Sequence, residues 1–161
     1  MKAVTDTTPI CYLVLIGEVE LLRELFSSVL MPRAVVAELL HEDAPETVRA
    51  WATCLPSWIS VHDNPSSPAK DIEKLQHGEL NAILLAETAQ AGIVLLDEKS
   101  ARRAATARGL RVTGTLGLPG EAASRGLIDL PAAIDRLRKT NFRYSPSLLK
   151  ATLDRFGSQG R

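Results

Sequence analysis

Five short apolar or β-branched runs set the strongest limit on how this chain can fold: KAVT at 2–5, SVLM at 28–31, WISVH at 58–62, IVLL at 93–96 and RVTG at 111–114. Each is bounded by turn or capping residues, the signature of a short strand. Between and after them the apolar spacing changes to a helical period, which predicts helices over roughly 9–16, 18–26, 33–42, 45–54, 78–91, 98–108, 116–125, 131–139 and 146–156. Strands alternating with helices call for an α/β fold: a three-layer α/β/α sandwich around a mostly parallel central sheet of about five strands. At 161 residues the chain suits one domain, read as 1–156 with a frayed tail over 157–161. HDNPSSPAK at 62–70, rich in Pro, Ser and Asn, reads as a loop inside that domain.

Composition removes several classes. Apolar residues at 45% and charged residues at 24% match a folded globular chain. No apolar run approaches the roughly 18 residues of a spanning helix, and an acid interrupts the start MKAVTDTTP where a signal peptide would stay apolar, so no membrane association and a cytoplasmic location are the expectation. Cys11 and Cys54, 43 positions apart and without C-x-x-C, read as buried thiols. The zero net charge conceals a division: residues 1–98 carry 6 Lys and Arg against 15 Asp and Glu, a balance of −9, while 99–161 carry 13 against 4, a balance of +9. Such segregation fits contact with a polyanion or attraction between the two parts of one fold.

The acids at element junctions are more specific. Asp6, in VTDTTP, follows the first strand and precedes a helix, where it would serve as an N-cap if it stood alone. Asp97, in GIVLLDEKSARR, repeats that position after the fourth strand. In a parallel sheet, sites gather outside the C-terminal strand ends, so Asp6 and Asp97 converge if their strands are neighbours. Glu79, in QHGELNAILLAETA, sits in the first turn of a long helix on the face of Ala82, Ile83 and Ala86. It is either an acid placed favourably at a helix N-terminus or one directed into a pocket. Glu38 and Glu42, one turn apart, lie off the Val35, Val36, Leu39 and Leu40 stripe, and periodicity alone makes both solvated. Carboxylates gathered at strand ends repel one another unless a cation intervenes, and oxygen-only ligation favours Mg²⁺ or Mn²⁺ over zinc. His41, His62 and His77 are too dispersed for a zinc motif. The chemistry suggested is hydrolysis of a phosphate ester. Phosphatase, P-loop and dinucleotide readings lack their parts: there is no D-x-D after the first strand, no G-x-x-x-x-G-K-[ST] and no G-x-G-x-x-G.

DTTP at 6–9, GELNAI at 78–83, VLLDEKSAR at 94–102, GTLG at 114–117 and the closing NFRYSPSLLKATL occur in the order and approximate spacing of PIN-domain proteins. The chain resembles a prokaryotic branch related to the ribonuclease toxins of toxin-antitoxin pairs, over about residues 3–155. That resemblance implies a metal-dependent endoribonuclease acting on RNA, with Mg²⁺ or Mn²⁺ held by Asp6, Glu79 and Asp97 and with Glu38 supporting them or activating water. It restores Glu38, which periodicity discarded, and assigns the Thr8 hydroxyl to support Asp6. It also implies a homodimer and a cognate antitoxin. Lys99, Arg102 and Arg103, with Arg108 and Arg111, would form a basic rim for phosphates. Low aromatic content, 4%, argues against an extended stacking platform. The alternative is a non-catalytic PIN-fold module binding RNA or protein. Two departures from the family pattern stand out: His77 before the Gly-Glu pair, and Pro119-Gly120, which would delay or break the helix after GTLG.

Overall fold

The computed structural model describes residues 1–64, 72 and 74–157. The central sheet has five strands, β1 (Lys2–Thr5), β2 (Ser28–Pro32), β3 (Ile59–His62), β4 (Ile93–Leu95) and β5 (Val112–Thr113). They lie in the order β3-β2-β1-β4-β5, and every pairing is parallel. The helices are α1 (Thr7–Leu15), α2 (Leu21–Leu25), α3 (Arg33–Leu39), α4 (Glu46–Thr53), α5 (His77–Thr88), α6 (Lys99–Ala107), α7 (Gly117–Ser124), α8 (Leu130–Arg138) and α9 (Pro146–Phe156). All five expected strands and nine expected helices are present. The loop expected at 62–70 and the tail expected from 157 fall largely outside the described residues.

Side-chain alternation explains the layers. Ala3, Val29, Met31, Ile93 and Leu95 point to one face and pack with α1, α2, α3, α4 and α7; Val4, Leu30, Val94 and Leu96 point to the other and pack with α5 and α6. A parallel sheet covered on both faces needs apolar residues in both phases of the period, hence runs such as IVLL. A smaller cluster of Ala123, Leu130, Ile134, Leu149 and Phe156 joins α7, α8 and α9.

Boundaries differ from expectation for local reasons. α2 begins only at Leu21 because residues 18–20 form a tight turn, with Leu21 N–H donating to the Glu18 carbonyl at 3.1 Å, and the Glu18 carboxylate is held by Arg136 at 2.6 Å. α5 stops at Thr88 because Gln90 adopts φ +52°, and Ala91 N–H turns back to the Ala86 carbonyl at 2.9 Å, a left-handed helix stop. The expectation of a broken helix after GTLG is corrected: α7 runs through Pro119-Gly120 from Gly117. Pro119 falls in the first turn, where its missing N–H has no intrahelical partner to lose.

The strand order fixes the site. From β1 the chain builds outward through β2 to β3, then returns and builds the other way through β4 to β5, so the order reverses between β1 and β4. Thr5 is in register with Leu95, and Asp6 N–H donates to the Leu95 carbonyl at 3.1 Å. A crevice opens beyond the strand ends at such a reversal, because the following helices pass to opposite faces. Asp6 and Asp97 stand on its two sides.

Candidate active site

Asp6 occupies the N-cap position of α1, but its side chain makes no capping hydrogen bond. It is 5% exposed, and its Oδ1 is the buried side-chain polar atom that lacks a partner among the described residues. Burial raises its pKa to about 7, the Thr7 backbone N–H offsets part of that rise, and Glu38, Glu79 and Asp97 each add to it by repulsion. The four acids singled out in the sequence therefore share one electrostatic neighbourhood, with Asp6 as the most buried. An unpaired carboxylate oxygen in such a place costs free energy that some ligand, proton or cation must offset.

Each remaining acid is steered by a short-range donor. Glu38, on α3, accepts the Thr7 hydroxyl at Oε2 and the Gly78 N–H at Oε1, 3.0 Å away. Glu79 accepts the Gln76 N–H at 3.1 Å, so it is half of a capping box while remaining 7% exposed. Burial raises its pKa, the Gln76 bond lowers it, and the nearby Glu98 and Glu38 raise it again. Asp97 accepts both the backbone N–H, at 2.8 Å, and the hydroxyl of Thr115. Burial raises its pKa, opposed by both Thr115 bonds and by the positive charge of Arg102.

Two glycines allow this crowding. A Cβ at Gly78 would stand 2.6 Å from Glu38 Oε1 and 2.8 Å from Asp6 Oδ1, and a Cβ at Gly114 would stand 2.6 Å from Asp97 Oδ1 and 2.8 Å from Arg102 Nη1. Real side chains do not tolerate such approaches, so both positions exclude every other residue while the acids stay where they are. Both glycines lie in quoted motifs, GELNAI and GTLG, but close approach to a carboxylate leaves no mark on spacing.

Other sequence expectations fare unevenly. The hydroxyl that reaches the acids belongs to Thr7 and is given to Glu38, not to Asp6, while the Thr8 hydroxyl makes no hydrogen bond among the described residues; the first helical turn directs residue 7 toward α3. Arg102 is turned toward Asp97 and donates to the Leu96 carbonyl at 3.3 Å. Lys99 and Arg103 are exposed on α6 without ion pairs to the acids among the described residues. Arg108 is instead bound to Glu87 through two bonds, Nε to Oε1 at 2.5 Å and Nη2 to Oε2 at 2.8 Å. His77 is exposed at the start of α5, with its carbonyl held by Asn81 Nδ2 at 2.8 Å. Cys54 is exposed and Cys11 half-buried, which corrects the expectation of two buried thiols. Thr7, Thr115, Gly78 and Gly114 were missed as site residues; a hydroxyl or glycine beside an acid motif was the only signal.

Among the described residues, no group of three or more His, Cys, Asp or Glu is arranged to hold a metal ion. The donor set nonetheless suits a hard divalent cation: the donors are all oxygens, Asp6 Oδ1 is buried without a partner, and Asp6 and Glu38 approach each other over Gly78. Mg²⁺ binds through one or two carboxylates with water completing its shell, so a three-ligand cage is not required.

A cleft of about 810 Å³ opens beside Thr7 and Glu38, and a second of about 360 Å³ adjoins Asp97 and Arg102. The acids thus lie between two openings. No described helix is long and apolar enough to cross a membrane.

Comparisons with known proteins agree with this architecture. A solved PilT N-terminus domain protein from the hyperthermophilic archaeon Sulfolobus solfataricus P2 is similar in structure, with a TM-score of 0.53 and 15% sequence identity, covering 90% of this chain and 100% of that one. At that identity the likeness shows the fold alone. No curated protein matches the chain. The family model DUF3368, described as a PIN domain, matches residues 2–158. The chain therefore belongs to the PIN-domain family, whose members are as a rule nucleases that depend on divalent metal.

Proposed function

We propose that this protein is a metal-dependent endoribonuclease that hydrolyses RNA phosphodiester bonds, and that it acts as the toxin of a toxin-antitoxin pair. The observation that carries the reading is Asp6 Oδ1, buried and without a partner where three other carboxylates converge at the reversal of the sheet. A cation is the ligand that would relieve both the missing partner and the repulsion.

Of Asp6, Glu79 and Asp97, one or two would bind Mg²⁺ or Mn²⁺ directly and the rest through water, with Glu38 completing the set or taking a proton from the attacking water. The metal would supply charge neutralisation at the phosphate and a more acidic water. The chain's own contribution is positioning. Thr7 and Gly78 N–H orient the Glu38 carboxylate, Thr115 orients both oxygens of Asp97, and the Gln76 N–H holds one oxygen of Glu79. Fixed donors of this kind lower the reorganisation needed when charge develops on the phosphate. Attack of water on phosphorus breaks the bond to the 3′ oxygen, which takes up a proton, leaving 5′-phosphate and 3′-hydroxyl ends. Arg102, beside Asp97, is the best-placed cation for a phosphate; Lys99 and Arg103 would add to the field.

The test is cleavage of RNA with Mg²⁺ or Mn²⁺ by wild type, Asp6→Asn and Asp97→Asn. Loss of activity in both variants by several orders of magnitude is expected, and equal activity in all three proteins would overturn the assignment. The toxin role predicts a small partner encoded next to this chain that copurifies with it and blocks cleavage. A second reading is a non-catalytic module that uses the same fold to hold RNA or a partner protein. It predicts undiminished RNA binding by both variants and no turnover by any of the three.

A further inference from the structure

Two cations remain unexplained along the β5 side of the sheet, Arg111 and Arg155. The groove of about 360 Å³ that begins at Asp97 and Arg102 passes β5, α7 and α9 and reaches Met1 and Phe26, at the opposite end of the strands. Its lining includes Arg102, Arg111, Arg125 and Arg155. Arg125 is engaged by Glu121 at 3.2 Å, and Arg102 is oriented by the Leu96 carbonyl and Asp97. Arg111 and Arg155 form no ion pair among the described residues; the Arg155 guanidinium lies 4.9 Å over the Phe156 ring, which stiffens it. Four arginines against two acids, Asp97 and Glu121, leave the groove positive, which fits a polyanion, and the groove ends at the acid cluster.

Its wall also carries Phe142. That half-buried ring meets Tyr12, remote in sequence, edge-on at 4.9 Å and stacks on its neighbour Tyr144 at 6.0 Å, so three aromatic side chains form one patch, of which Phe142 lines the groove. An acidic peptide would use the arginines and leave the ring idle. A single-stranded polynucleotide uses both, because phosphates and base faces alternate along it.

We propose that this groove holds the single-stranded RNA flanking the bond to be cut, with Arg111 and Arg155 on phosphates and a base stacked against Phe142. The proposal rests on the ribonuclease reading for its substrate and is tested without cleavage.

The full chain, in EDTA, is titrated into a labelled oligoadenylate, and binding is followed by fluorescence anisotropy at several salt concentrations. Arg111→Ala and Arg155→Ala are each expected to weaken binding about 3- to 10-fold and to flatten the salt dependence by about 0.7 in log–log slope per contact. Arg138→Ala removes the same charge from α8 and is expected to change neither quantity. Phe142→Leu is expected to lose about tenfold on the intact oligonucleotide and nothing on one with abasic sites, a difference that a general folding defect would not produce. Wild-type affinity in both arginine variants, or equal loss by Phe142→Leu on both oligonucleotides, overturns the proposal, as does equally effective competition by polyglutamate. Cleavage measured with Mn²⁺ on the same proteins separates the two readings: groove-dependent binding without turnover removes the nuclease and keeps the groove, and turnover with groove-independent binding does the reverse.

Discussion

Gly78 shows how much a single atom controls. The Cβ of Gly78→Ala would meet Glu38 Oε1 and Asp6 Oδ1 at 2.6 and 2.8 Å, and the flexible carboxylates must yield. Helix propensity gives the substitution up to about 1 kcal/mol in favour of the fold. Gly78→Ala is therefore expected to keep its melting temperature while losing RNA cleavage by about a hundredfold, since displacing reacting groups by about 1 Å costs that much. Initial rates and thermal melts on the same preparation check both halves. Asp6 makes a prediction about pH. Its folded pKa of about 7 exceeds the 3.8 of an ordinary aspartate, so between those limits the folded chain keeps a proton that the unfolded chain has released. Metal-free stability contributed by this group is present at acid pH and falls as pH rises through the window, by on the order of 4 kcal/mol when complete. Asp6→Asn has no such proton to lose. In EDTA it is expected to be more stable than wild type at pH 8, with the difference vanishing near pH 4; denaturant melts at both values decide it. The acids Asp6, Glu79 and Asp97 were legible because each falls at a strand end or helix start, but the choice of Thr7 over Thr8 was not, since it depends on which hydroxyl the first helical turn presents to α3.

At the scale of elements, the helices and strands were read from periodicity with errors confined to their ends. Where an end moved, a local contact moved it: the left-handed Gln90 stops α5, and the turn at 18–20 shortens α2. Glu38 marks the limit of this kind of reading. On its own helix it lies off the apolar stripe and looks solvated, and only the neighbouring α1 and α5 turn that flank into a pocket wall. The contact between α5 and α6 carries its own prediction. Arg108 and Glu87 form a two-bond pair, 22% and 33% exposed, that ties the end of α6 to α5. Such geometry is worth more than an open surface pair, so Arg108→Ala is expected to cost about 1 kcal/mol in urea unfolding. Because the pair is remote from the acids, the rate of cleavage by the folded fraction should stay within about twofold of wild type.

Across the whole molecule, the C-terminal helices dock through a contact that sequence presented as a defect. Pro119-Gly120 resembled a helix break, yet Gly120 is where the Phe156 ring of α9 presses on α7, and any Cβ there would enter the ring. Gly120→Ala is expected to destabilise by about 1–3 kcal/mol through overpacking, a fall in melting temperature of roughly 2–12 °C for a chain of this length. A calorimetric scan unchanged from wild type would refute that role. The sequence by itself determined the α/β class, the five strands, the nine helices and the likeness to PIN domains, because periodicity and turn chemistry are properties of neighbours along the chain. Tertiary structure alone decided that β1 and β4 are adjacent, that Asp6 Oδ1 has no partner, that Thr7 and Thr115 aim the other acids, and that Phe142 meets Tyr12. Those are distances between segments up to 130 residues apart, and they are set by how strands and helices join the sheet.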